Sequence, residues 1–209
     1  MVASEIEQVP LFALSANWLC LDFTNTLDDR LTEDVHDNLN SYVDLVAWSR
    51  QAGLVTDAGA ERLLEEARRN SEEARGVLLR ARDLREVMYR IFLAITEGAQ
   101  PAEADLYTLN AALAKAMAHA RVVGRDGGFV WSWEDGGCEL DSLLWPVIRS
   151  AADLLTSSEL EAVRVCAAED CSWLFLDTSK NHTRRWCSMK SCGNRAKARR
   201  HYKKEKEQA

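Results

Sequence analysis

Four cysteines spaced as Cys166-x4-Cys171-x15-Cys187-x4-Cys192 constrain this chain more than any other feature. Each pair suits a tight knuckle, and the 15 residues between the pairs leave room for a short hairpin. Zinc takes four ligands tetrahedrally, and four thiolates fill every position, so the pattern specifies one structural Zn2+ per chain with sulfurs at about 2.3 Å. A set of ordinary core cysteines or a redox pair is the plain alternative, and His182 is a substitute ligand. A segment of about 45 residues buries too little apolar surface to fold alone, which gives a metal staple its physical motive. Cys20 and Cys138 stand apart and read as buried small hydrophobes. Between the ligand pairs, Trp173, Phe175 and Asp177 alternate as a strand, Thr178 to Asn181 turn, and Arg184 to Cys187 return. Gly193 and Asn194 then introduce a helix from Arg195 to Lys204. Knuckle, hairpin, knuckle and helix are the parts of a treble clef.

The remainder is patterned for helices. Leu84, Val87, Met88, Ile91 and Ile95 form one stripe at three- and four-residue spacing, and Leu106, Leu109, Leu113 and Met117 form another. Ser41 caps a helix carrying Leu45, Val46 and Trp48 that Gly53 stops. Residues 57–69 form a charged helix, and a longer one spans 72–97. The pattern breaks at Arg121–Trp133, where Asp126 to Gly128 turn and Phe129, Trp131 and Trp133 alternate as one arm of a hairpin. A helix over Ser142–Leu155 tolerates Pro146 in its first turn, and Ser158 with Glu161 forms a capping box. The expected fold is mainly α (α+β): a helical domain over residues 1–160 with a small β-hairpin, then a treble-clef-like finger with a basic helix over 161–209.

Charge divides the chain in the same place. Residues 180–209 carry 11 Lys/Arg and 2 acidic residues, against 15 and 31 in residues 1–179. Such a basic block meets an anionic partner, and arginine forks and lysine point charges both suit nucleic acid. Arg184, Arg185, Arg195, Lys197, Arg199, Arg200, Lys203 and Lys204 are the candidate contacts. Two plainer readings make the block a solvated tail, or dock it on the protein's own acidic part; Arg184, beside a thiolate, also reads as a residue that orients the site. With neither a basic leader nor an 18-residue apolar run, the expected location is cytoplasmic with no membrane contact.

The motifs Arg164-x-Cys166-x4-Cys171, Phe175-Leu-Asp177-x-Ser179-x-Asn181, Arg184-Arg-Trp-Cys187 and Cys192-Gly-Asn-Arg195-x-Lys197 resemble the CGNR zinc finger. Leu19-Cys-Leu-Asp-Phe-Thr-Asn-Thr26 and the helices after it resemble the ABATE domain that precedes this finger in bacterial stress-induced transcription regulators. The resemblance implies DNA-binding regulation, with the helical domain as a sensor or dimerisation unit, and hence a homodimer and a small-molecule effector as further partners. A protein-interaction module without DNA binding is the competing reading. Asp22 and Asn25, with Thr26, either line a ligand pocket or hydrogen-bond a neighbouring loop. His36 and His119 are isolated, and there is no phosphate loop, His-Glu zinc motif or nucleophile elbow, so no enzyme is expected.

Overall fold

The computed structural model describes residue 6 and residues 9–133 and 139–207, the side chains of residues 201, 204, 205 and 207 excepted. Cys138 thus lies outside the described residues. A short buried helix, α1 (Leu19–Thr24), puts Cys20, Leu21, Phe23 and Thr24 into the core. It leads into a two-residue ladder in which β1 (Leu27–Asp28) pairs antiparallel with β2 (His36–Asp37).

Ser41 opens α2 (Tyr42–Gln51) with a capping box: its hydroxyl accepts the Asp44 N–H, and the Asp44 carboxylate accepts the Ser41 N–H at 2.7 Å. Gly53 ends this helix at φ +74°, a left-handed conformation in which a side chain would be strained. Thr56 caps α3 (Asp57–Arg69) by accepting the Gly59 N–H. The 26-residue α4 (Ser71–Thr96), about 39 Å long, is the spine of the molecule and buries Val77, Ala81, Leu84, Met88, Ile91 and Phe92 along one side.

Alongside it, α5 (Glu103–Ala118) buries Leu109 and Ala116. Met117, assigned by spacing to the same stripe, is 37% exposed. At about 100° per residue, Ala116 lies nearly in line with Leu109 while Met117 has rotated away. Strands β3 (Ala120–Arg125) and β4 (Gly128–Trp133) form the expected hairpin, with Gly127 at φ +90° in the turn. A 3-10 turn, Ser142–Leu144, runs into α6 (Trp145–Leu155), whose first turn accommodates Pro146. The expected Ser158–Glu161 capping box does not form: the next 3-10 turn starts one residue early, and Ser157 caps it by accepting the Glu159 N–H.

The C-terminal segment joins this core. Strand β5 (Val163–Val165) pairs antiparallel with β6 (Leu174–Leu176) in the register Val163↔Leu176, Arg164↔Phe175 and Val165↔Leu174. The hairpin expected between residues 173–177 and 184–187 is therefore replaced by one between β5 and β6. The cause is burial on both faces, since Leu174, Phe175 and Leu176 are all buried and the strand shows no alternation. Residues 184–187 return without strand pairing, held by the Ala167 N–H donating to the Arg185 carbonyl at 2.8 Å. Beyond the second knuckle runs α7 (Asn194–Glu207). Among the described residues, no helix is long and apolar enough to cross a membrane.

Candidate metal centre and nucleic-acid interface

The sulfurs of Cys166, Cys171, Cys187 and Cys192 lie within 4.8 Å of one another, and all four residues are buried. Cys171 and Cys187 sulfurs are 3.8 Å apart and those of Cys187 and Cys192 are 3.6 Å apart. Sulfurs at the corners of a tetrahedron about 2.3 Å from zinc would be about 3.8 Å apart, so the spacing fits the ion. His182 takes no part; its Nδ1 lies 3.2 Å from the Asp177 carbonyl. Hydrogen bonds from Cys171, Cys187 and the Cys187 N–H hold the Cys166 thiol far below the ordinary thiol range. The same crowding, led by the bond to Cys166, pushes Cys171 up to about 12 and raises Cys187 as well. Four thiolates can share this volume only around a cation, and one structural zinc supplies that charge.

Each residue of the tetrapeptide 192–195 has a distinct physical task. Cys192 is a ligand. A methyl group on Gly193 would stand 2.7 Å from the Met189 sulfur across the single π-turn Met189–Gly193. The Asn194 amide donates to the Lys190 carbonyl at 3.1 Å and closes that turn. Arg195 donates to the Cys192 sulfur at 3.3 Å and pairs with Asp170 at 3.3 Å.

This geometry sorts the candidate nucleic-acid contacts. Arg184 is committed inward: its guanidinium lies 4.4 Å from the Phe175 ring centroid and donates to the carbonyls of Trp186 at 3.0 Å, Ser15 at 3.1 Å, and Cys187. These contacts orient the returning arm. Asp177 completes the loop by accepting the N–H groups of Ser179 and Arg184. Burial opposes ionisation of its carboxyl, but these bonds prevail and hold its pKa below the usual range. Arg199 pairs with Asp170 at 2.7 Å and Glu169 at 3.7 Å, so it and Arg195 are partly neutralised by the first knuckle. Glu169 and Asp170 were not anticipated, although two acids inside a metal knuckle facing a basic helix were a readable signal.

Arg185, Lys197, Arg200 and Lys203 are exposed and carry no ion pair among the described residues. Arg185, Arg200 and Lys203 edge a cleft of about 390 Å³ between α7 and the first knuckle, where Trp186 also lies. The Lys204 side chain lies outside the described residues.

The chain itself occupies the polar residues expected near a ligand pocket. Asn25, 4% exposed, donates to the Leu174 carbonyl at 2.8 Å and accepts the Leu174 N–H at 3.0 Å. Asp22 accepts the Ala16 N–H at 2.9 Å, and burial raises its pKa to about 6. Asn25 clamps β6, which enters the helical core with backbone groups that need partners, while Asp22 holds the turn that leads into its own helix. Around them lies a polar network that the amphipathic patterns did not reveal. Arg85, 2% exposed, grips Asp37 with bonds of 2.7 and 2.8 Å, and the Trp173 indole N–H donates to Asp28 at 2.8 Å.

Residues 17–158 match the model of the ABATE family, described as "Putative stress-induced transcription regulator", and residues 162–205 match that of the CGNR zinc finger. Comparison with curated proteins finds no match.

Proposed function

Because the chain belongs to the ABATE family and carries a CGNR zinc finger, we propose that it regulates transcription by binding DNA through the exposed cations of α7. The observation that carries this reading is the strip of exposed Arg185, Lys197, Arg200 and Lys203, without an acidic partner among the described residues, beside a metal-fixed knuckle. A duplex presents a dense row of phosphates, and such a strip neutralises them without base recognition. Zinc's part is to fix the helix: four thiolates close its coordination sphere, which fits a binding protein and not an enzyme.

We divide the work at about residue 160, with residues 161–209 as the reader and the helices as a sensor or dimerisation unit, operating in the cytoplasm. The hairpin β3–β4 supports the dimer, since Val122, Phe129 and Trp131 are 59%, 80% and 43% exposed and large exposed apolar groups mark interaction surfaces.

Fluorescence anisotropy with a labelled random duplex tests the reading on the full zinc-loaded chain. Arg200→Glu combined with Lys203→Glu is expected to weaken low-salt binding at least tenfold with zinc content unchanged. Unchanged affinity would overturn the assignment of this face. A wild type that holds its zinc yet binds no duplex would be a protein-interaction module instead.

A further inference from the structure

A groove of about 600 Å³ runs between α2, α3 and α4, away from the metal centre and from α7. Its volume is that of a small-molecule site. Val43, Leu64, Ala67, Leu78 and Leu79 supply apolar wall, and Leu79 stands 50% exposed. Residues 1–179 hold 31 acidic side chains against 15 basic ones, yet among the described residues the groove is lined by Arg68, Arg75 and Arg82 and by no acidic side chain. That local reversal of charge on an apolar wall selects for an amphiphilic anion.

The arginines are not equivalent. Arg82 is spent within the fold, donating to the Leu39 carbonyl at 2.8 and 2.6 Å and lying 3.4 Å from Asp37. Arg75 is exposed and has no partner among the described residues. It lies one turn from the start of α4, near the junction with α3 where Arg68 stands, while Leu78 and Leu79 follow it along the helix. From Arg75 to Arg82 the helix rises about 10 Å, the reach of a chain of eight to ten carbons.

We propose that this groove binds an apolar monocarboxylate, its carboxylate on Arg75 and its chain along Leu78 and Leu79. The site goes beyond DNA binding and does not depend on it. Its far end connects to the metal finger: Asp37 also holds Arg85, and Asp28, on the strand paired with that of Asp37, accepts the Trp173 indole N–H.

Isothermal titration of the full zinc-loaded chain with sodium decanoate, below its micelle concentration, tests the assignment. One saturable site per chain is expected, with decan-1-ol at least tenfold weaker. Arg75→Ala and Leu79→Asp, both at exposed positions, should each weaken decanoate at least tenfold, because a charge-assisted bond or the apolar wall is removed. The proposal is overturned by an absent decanoate site, by equal affinity for the alcohol, or by wild-type affinity in both variants. A groove that accepts an acidic amphipathic peptide and not decanoate would be a protein-docking surface, which also overturns it.

Discussion

Arg195 sits between the Cys192 sulfur and Asp170, so its charge serves the metal before any phosphate. A cation hydrogen-bonded to a coordinating thiolate offsets part of the site's negative charge, and such outer partners commonly govern metal affinity by 10- to 100-fold. Arg195→Ala should therefore lower zinc affinity by about that factor, measured by competition with a chromophoric chelator. Arg200→Ala should leave it unchanged, because among the described residues Arg200 bonds only the Ala196 carbonyl, at 3.5 Å. Equal zinc affinities for the two variants would contradict the assignment. At this scale the ligands themselves were legible, since a tetrahedral ion restricts residue type and spacing together. The orienting reading of Arg184 followed from its place beside a thiolate, but the division between Arg195 and Arg200 was not legible, because those two differ only in what the fold places beside them.

Among the elements, β6 joins finger and helices. Its ladder to β5, the reciprocal Asn25 bonds, and the Leu176 N–H donating to the Ala16 carbonyl at 2.8 Å are independent of the metal. Among the described residues the ion pairs of α7 reach the first metal knuckle, from Arg195 and Arg199 to Glu169 and Asp170, and its start is set by Cys187 and Cys192, so its position rests on the metal site. Chelation of zinc should thus release residues 187–207 to hydrogen exchange while the strands Val163–Val165 and Leu174–Leu176 stay protected. Simultaneous loss of protection in both segments would contradict this order. One helix start and stop were readable from Ser41 and Gly53, whose chemistry is local. The partner of β6 was misread because alternation at Trp173, Phe175 and Asp177 suggested one buried face, whereas burial on both faces is decided by elements more than 100 residues away in sequence.

The whole molecule is acidic, at a formal charge of -7, yet residues 180–209 carry 11 of its 26 basic residues against 2 acidic ones. The helical part carries a net negative charge, 31 acidic against 15 basic residues over 1–179, so the duplex is placed on the cations of residues 180–209 that the first knuckle does not pair. Each phosphate neutralised should contribute about -0.9 to the slope of log affinity against log salt, and contacts from Arg185, Lys197, Arg200 and Lys203 imply about -3.6. The most direct measurement is that slope on a random duplex, for the zinc-loaded wild type and for a triple Lys197→Ala, Arg200→Ala, Lys203→Ala variant. A slope flattened by about 2.7 with zinc content unchanged is expected. A triple variant that keeps its zinc and the full wild-type slope would contradict DNA binding by this face of α7.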